Sequence, residues 1–121
     1  MLIEGQLYSK ANSRMLIRKG NRTISVKSVK AQKSFADMVL QLRAQWRGQK
    51  PIPEPAELIC YVYYGSRRPD LDISLLMDAL QAAGVVENDR HIFRIHATKI
   101  IDPIFPRIEV TVRPMQEEIT G

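Results

Sequence analysis

Several stretches of the chain alternate apolar and polar residues or are rich in β-branched and aromatic residues, which predicts β-strands. Residues 2–8 favour a first strand. The runs R-M-L-I-R and R-T-I-S-V flank K-G-N, a turn signal, and together predict a short hairpin. The run E-L-I-C-Y-V-Y-Y predicts a central strand. Farther along, H-I-F-R-I-H-A-T and R-I-E-V-T-V-R alternate and predict two more strands.

Two other stretches repeat their apolar residues at helical spacing. Ser28 is suited to cap a helix that runs to about Trp46, with this apolar set: Val29, Phe35, Met38, Val39, Leu42 and Trp46. A second helix follows the D-L-D pair and ends at Gly84, with this apolar set: Ile73, Leu76, Met77, Leu80 and Ala83. The elements together predict an α+β fold with a small mixed β-sheet and two helices. We expect one domain over residues 1–121, with a loose tail over residues 114–121.

Length and composition fit a small globular protein. The chain has 121 residues, of which 45% are hydrophobic, enough for one modest core. No apolar stretch approaches the roughly 20 residues that a membrane span needs, and the start M-L-I-E-G-Q-L-Y does not resemble a signal peptide. We therefore expect a cytoplasmic protein with no membrane partner. The single cysteine, Cys60, predicts a buried, reduced thiol rather than a metal ligand.

Positive charge is concentrated in the first half of the chain. The formal net charge is +5, and residues 10–50 contain a single acidic residue, Asp37, among these bases: Lys10, Arg14, Arg18, Lys19, Arg22, Lys27, Lys30, Lys33, Arg43, Arg47 and Lys50. This distribution favours a polyanionic partner such as nucleic acid. For Lys30, Lys33 and Arg43 taken singly, a solvated helix face is the simpler interpretation, whereas the bases around the predicted hairpin are better candidates as a group.

The segment S-R-R-P-D-L-D places two carboxylates next to two arginines. Residues two apart in an extended segment point the same way, so Asp70 and Asp72 would face one point and repel each other. A divalent cation relieves that repulsion, and carboxylate oxygens suit Mg²⁺ or Mn²⁺. Arg67 and Arg68 are placed to bind a phosphate beside the ion.

The same segment has a simpler interpretation, which the spacing alone leaves open. Asp72 would then be a helix cap and nothing more, and Asp70 would only pair with Arg68. A third carboxylate would favour the metal site, and the E-N-D-R segment beyond the second helix offers Glu87 and Asp89.

Several segments taken in order resemble the RusA family of phage-type Holliday junction resolvases. The similarity extends from Y-S-K-A-N-S-R to R-I-E-V-T-V and is strongest over R-R-P-D-L-D and L-L-M-D-A-L-Q-A-A-G-V-V-E-N-D-R-H-I, with Lys99 ten residues after Asp89. The resemblance implies a homodimeric, Mg²⁺-dependent endonuclease that acts on four-way DNA junctions. It maps the metal-binding aspartates of the family onto Asp70, Asp72 and Asp89, and a catalytic lysine onto Lys99. It implies no small-molecule cofactor.

From the resemblance and the charge pattern together we expect a DNA-binding set made of Lys10, Asn12, Arg14, Arg18, Lys19, Arg22, Arg67 and Arg68. Ser9, Lys10 and Asn12 are similar to a loop signature that the family carries near its N-terminus. Backbone contacts of this kind would position DNA and weaken with salt.

The chain also departs from the family pattern. Ile73 stands where family members usually have Asn, Asn88 stands where they have the first of two acids, and the lysine usual about one turn into the helix is missing. Arg67, Arg68 or Lys99 would have to supply that charge. Three alternatives therefore accompany the resolvase hypothesis: a nuclease for other branched DNA, a junction-binding module with weak or lost catalysis, and a small basic fold with no DNA role.

Overall fold

A computed structural model describes residues 1–10 and 14–116, without the side chains of residues 14, 15, 17, 19 and 24–27. Six strands, two α-helices and one 3₁₀ turn alternate along the chain in this order: β1 Leu2–Glu4, β2 Arg14–Lys19, β3 Arg22–Lys27, α1 Val29–Trp46, β4 Ala56–Tyr64, α2 Ser74–Ala82, the 3₁₀ turn Asp89–His91, β5 Ile92–Ile101 and β6 Arg107–Pro114. The predicted fold class, α+β with a small mixed sheet and two helices, is confirmed.

The main sheet has four strands in the order β1-β6-β4-β5, and β4 is its central long strand. Strand β4 runs antiparallel to β6 and parallel to β5. The parallel pair is joined by a crossover that contains α2, as parallel strands require. Strands β2 and β3 form the predicted hairpin as a separate two-stranded sheet. The carboxyl ends of β4 and β5 therefore lie at one edge of the main sheet.

The core lies between the two helices and one face of this sheet. Alternate residues of β4 face the helices and are buried: Ala56, Leu58, Cys60, Val62 and Tyr64. They pack in one cluster with Met38, Val39 and Leu42 of α1 and with Leu75, Leu76, Ala79 and Leu80 of α2. Cys60 is a free, buried cysteine, as predicted, and burial raises the pKa of its thiol to about 11.

Helix α1 begins as its sequence predicts. The Ser28 hydroxyl accepts a hydrogen bond of 3.1 Å from the backbone N–H of Ala31, which satisfies one donor of the first turn. At the other end Trp46 packs against the core, and its indole N–H donates to the carbonyl of Gln49. The apolar face was predicted wrongly at one position. Val29 is the first residue of α1 and is 73% exposed, and the buried face begins at Ala31.

Helix α2 ends near the predicted glycine. Gly84 has a φ of 81°, a left-handed conformation that glycine adopts without strain. The Arg43 side chain reaches across from α1 and donates to the carbonyl of Ala82, at a distance of 3.2 Å. This contact brings a positive charge to the negative end of the α2 dipole, and it gives Arg43 a structural role.

The C-terminal strand extends farther than predicted. Pro114 is the last residue of β6, and the N–H of Met115 donates to the carbonyl of Pro55. Of the predicted loose tail, residues 117–121 lie outside the described part of the chain. Across residues 1–10 and 14–116, none of the helices has the length and apolar character that crossing a membrane requires.

Candidate active site

The segment that joins β4 to α2, residues 65–73, carries both predicted carboxylates of the D-L-D pair. It leaves the sheet at the carboxyl end of β4, beside the parallel strand β5, and open α/β sheets bind ligands at such an edge. Asp70 is exposed, and its carboxylate makes no hydrogen bond or ion pair with any residue in 1–10 or 14–116. The alternative in which Asp70 only pairs with Arg68 therefore finds no contact here.

Asp72 is bound from two sides. Its Oδ1 accepts hydrogen bonds from the Ser74 backbone N–H at 2.9 Å and from the Ser74 hydroxyl at 2.7 Å. Its Oδ2 accepts from the backbone N–H of Lys10 at 3.1 Å. The two bonds from Ser74, followed by the bond from Lys10, lower the pKa of the Asp72 carboxyl below its ordinary value. Asp72 thus stabilises the start of α2 and stays ionised at neutral pH.

A further carboxylate, which sequence reasoning did not choose, is connected to Asp72 through Lys10. The Lys10 ammonium group forms an ion pair of 3.1 Å with Asp78, on the second turn of α2. Lys10 therefore joins its own loop to both Asp72 and Asp78, and brings a positive charge to the helix from outside it. The sequence shows Asp78 in the D-A-L run, but no local pattern predicts its ion pair with Lys10.

Lys99 lies against the same segment. Its ammonium group donates to the backbone carbonyl of Arg67 at 2.8 Å and to that of Pro69. It also lies 5.7 Å from the centre of the Tyr64 ring, and the Tyr64 hydroxyl donates to the carbonyl of Asp70 at 3.2 Å. Three hydrogen bonds from β4 and β5, to the carbonyls of Arg67, Pro69 and Asp70, thus fix the backbone just before and at Asp70.

Asp89 is placed by α2 rather than by the D-L-D segment. It opens the 3₁₀ turn, and its backbone N–H donates to the side-chain carbonyl of Gln81 at 3.0 Å. The neighbouring Asn88 accepts from the N–H of Arg90 and caps the turn. Among the residues that the structure describes, no three Asp, Glu, His or Cys side chains lie close enough to hold one metal ion together.

The donor chemistry of Asp70 and Asp72 nevertheless fits a divalent ion. Asp70 offers both oxygens, and Asp72 offers Oδ2, which accepts a single bond from Lys10, whereas Oδ1 accepts two bonds from Ser74. Mg²⁺ binds through one or two carboxylates and keeps several waters. The two carboxylates of the D-L-D pair are therefore enough in number for such an ion, and the predicted third ligand, Asp89, is not brought into one group with them.

The predicted DNA-binding residues are distributed over the hairpin and the D-L-D segment. The side chains of Arg18, Arg22, Arg67 and Arg68 are exposed. Arg14 and Lys19 lie at the two ends of β2, paired with Lys27 and Arg22 respectively. The structure describes the backbone of Arg14 and Lys19 but not their side chains. Asn12 lies outside the described residues altogether.

Residues 4–113 match the protein family described as Endodeoxyribonuclease RusA. The chain belongs to the RusA family. A curated relative, the Crossover junction endodeoxyribonuclease RusA of Aquifex aeolicus (strain VF5), is 30% identical over 112 residues, which are 86% of this chain and 89% of the relative. The RusA match includes the D-L-D segment, α2 and β5, so the resemblance seen in the sequence is confirmed, and the chain is an endodeoxyribonuclease by family.

Proposed function

We propose that this chain is a Mg²⁺-dependent endonuclease that resolves four-way DNA junctions as a cytoplasmic homodimer, with Mn²⁺ as a substitute ion. The RusA family match and the name of the Aquifex aeolicus relative support the reaction. The observation on which the proposal depends is the D-L-D segment: an exposed carboxylate without a protein partner in the described chain, Asp70, stands two residues from an ionised one, Asp72.

The residues of the chain would divide the work as follows. Asp70 and Asp72 would hold the divalent ion, which when bound lowers the pKa of a coordinated water and neutralises charge on the phosphate. Asp89 is assigned to the ion by the family resemblance alone. Arg67 and Arg68, exposed on the same segment, would bind the phosphate that is cut. Arg18 and Arg22 on the hairpin would bind neighbouring phosphates and position the junction.

A homodimer suits this substrate. A four-way junction is nearly two-fold symmetric, and a two-fold dimer presents two identical sites. Paired cuts across the junction follow from that symmetry, because each protomer acts on one of two equivalent strands. The proposal therefore assigns one D-L-D site to each cut.

Cleavage of a synthetic four-way junction tests the proposal. With Mg²⁺ present, we expect the unaltered protein to cut two opposite strands. Asp70→Asn should lower the cleavage rate by at least about a hundredfold and leave junction binding equal or tighter, since it removes a carboxylate that repels phosphate. Asp37→Asn makes the same chemical change at an exposed position of α1 and should cut like the unaltered protein. Normal cleavage by the Asp70→Asn variant would exclude this site.

Comparable assays separate the three alternatives, of which the missing helix lysine suggests the junction-binding module. A nuclease for other branched DNA would cut three-way forks faster than four-way junctions. A junction-binding module would shift the junction in a gel and leave it uncut at every Mg²⁺ concentration. A basic fold with no DNA role would show no affinity for the junction that falls with salt.

A further inference from the structure

The ammonium group of Lys99 is bound to the backbone of the D-L-D segment. Two of its three N–H donors are used by the carbonyls of Arg67 and Pro69. We infer that Lys99, together with Tyr64, is a positioning residue that fixes the Arg67–Asp70 backbone and so presents the Asp70 carboxylate. The inference rests on the proposed function and replaces the catalytic role that the sequence predicted for Lys99.

The backbone of the D-L-D segment lacks the hydrogen bonds that a helix or a strand would provide. Residues 65–72 belong to no helix or strand, so their carbonyls have no partners within regular secondary structure. Lys99 on β5 and Tyr64 at the end of β4 supply donors to the carbonyls of Arg67, Pro69 and Asp70. Tyr64 is itself 1% exposed and part of the core. The segment is thereby fastened to the rigid edge of the sheet.

The orientation that results suits the arginines as well. The carbonyls of Arg67 and Pro69 accept hydrogen bonds from Lys99. The side chains of Arg67, Arg68 and Asp70 are exposed on the same segment. Asp72 does not depend on Lys99, because Ser74 and Lys10 anchor it separately. Loss of Lys99 should therefore displace Asp70 relative to Asp72 and weaken ion binding by the pair, while α2 keeps its start.

Trypsin offers a direct test, because the carbonyl of Arg67 belongs to a peptide bond that trypsin can cut. The next bond, between Arg68 and Pro69, resists trypsin because a proline follows it. A Lys99→Met variant keeps the length and the apolar stem but lacks the charge and the donors. We expect the cut after Arg67, measured by mass spectrometry of the native protein, to be at least about tenfold faster in this variant.

Two controls distinguish local release from general destabilisation. The cut after Arg43, within α1, requires unfolding of the helix and should not change. Lys33→Met, at an exposed position of the same helix, should leave both cuts unchanged. Equal acceleration after Arg67 and after Arg43 in the Lys99→Met protein would overturn the inference, since it would show a fold that is merely weaker. An unchanged rate after Arg67 would overturn it as well.

The second arm measures junction cleavage against Mg²⁺ concentration. A positioning role predicts that Lys99→Met raises the half-saturating Mg²⁺ at least about fivefold and that excess Mg²⁺ restores much of the rate, because binding of the ion offsets the cost of ordering the segment. A rate that stays low at saturating Mg²⁺, with unchanged half-saturation, would assign Lys99 to the DNA itself and overturn the inference. If the unaltered protein does not cut junctions, the proposed function fails, and the tryptic arm still decides the role of Lys99.

Chemical rescue completes the test. Lys99→Cys, treated with 2-bromoethylamine, regains an ammonium group on a side chain of lysine length. Cys60 is fully buried and its pKa is raised to about 11, so in the native protein the reagent should modify the introduced thiol alone. We expect the modified protein to recover both the slow cut after Arg67 and the normal Mg²⁺ dependence. Recovery of neither would count against the positioning role.

Discussion

At the scale of single residues, the Asp72 carboxylate supports the start of α2 and still has a lone pair that no protein donor uses. The sequence presented a helix cap and a metal ligand as alternatives, because an isolated D-x-D pair fits either one. In the structure the Asp72 carboxylate receives bonds from Ser74 at the start of α2 and from Lys10. A carboxylate has about four lone-pair positions, so these three bonds do not exhaust it. Ile73, and not Asp72, is the N-cap residue of α2, so the interpretation of Asp72 as a helix cap is wrong, although its bonds from Ser74 support the start of the helix.

Asp72→Ala should reveal, through the pH dependence of stability, how much the bonds from Ser74 and Lys10 to Asp72 stabilise the fold. Because hydrogen bonds lower the pKa of Asp72 in the folded protein, its contribution to stability is present above the unfolded pKa of about 3.9 and is lost as pH falls through the folded pKa. At pH 7 the variant should lose about 1 kcal/mol of unfolding free energy, and the difference should shrink steadily below about pH 4.

Urea denaturation at several pH values measures this difference. Asp70→Ala is the matched control, because its carboxylate has no partner within residues 1–10 and 14–116 and should change stability by less than about 0.5 kcal/mol. A loss at pH 7 that persists undiminished at pH 3 would mean that the Asp72 side chain acts by packing and not by charge.

At the scale of elements, helix α1 shows what local patterns can specify. Its start is encoded by one residue, Ser28, whose hydroxyl satisfies an orphan N–H of the first turn. We expect Ser28→Ala to lower the unfolding free energy by about 1 kcal/mol, whereas Ser28→Asp retains an acceptor and should stay within about 0.5 kcal/mol of the unaltered protein. Thermal unfolding of the two variants side by side checks the difference, and equal losses would argue against the cap.

The elements that sequence reasoning missed depend on contacts between distant segments. The hairpin was expected from its turn, but nothing local showed that β2 and β3 would form a sheet of their own. Likewise the spacing indicated a helix after Asp72, but the Lys10–Asp78 ion pair joins residues 68 positions apart in the chain. Periodicity and caps are local properties of the sequence, and they predicted most of the helices and strands. The partners of Lys99 and Lys10 are distant in the chain and could be identified only from the folded structure.

At the scale of the whole molecule, the arginines of β5 and β6 differ from the bases of the hairpin. Arginines on β5 and β6 are paired with acids: Arg113 and Arg94 lie 2.9 and 3.8 Å from Glu57, which is 6% exposed, and Arg107 lies 2.8 Å from Asp102. The hydrogen bond from Arg113 lowers the pKa of Glu57. These pairs offset one another on the main sheet, whereas the hairpin, residues 14–27, contains five basic and no acidic residues, so much of the net charge of +5 lies there.

Salt titrations of junction binding test this division. If Arg18 and Arg22 each contact one phosphate, replacing either by alanine should reduce the slope of log affinity against log salt by about 1 and weaken binding to any junction sequence. Lys33→Ala, on the exposed face of α1, should leave the slope unchanged. Equal reductions for all three variants would mean that the charge acts diffusely and that the hairpin has no special role.

The position of the only tryptophan has a practical consequence for such measurements. Trp46 closes α1, packs against the core and donates its indole N–H to Gln49. Its fluorescence therefore has a single origin, and the emission should move to longer wavelength when α1 separates from the sheet and water surrounds the ring. Intrinsic emission thus follows the unfolding of the domain without a dye or a label.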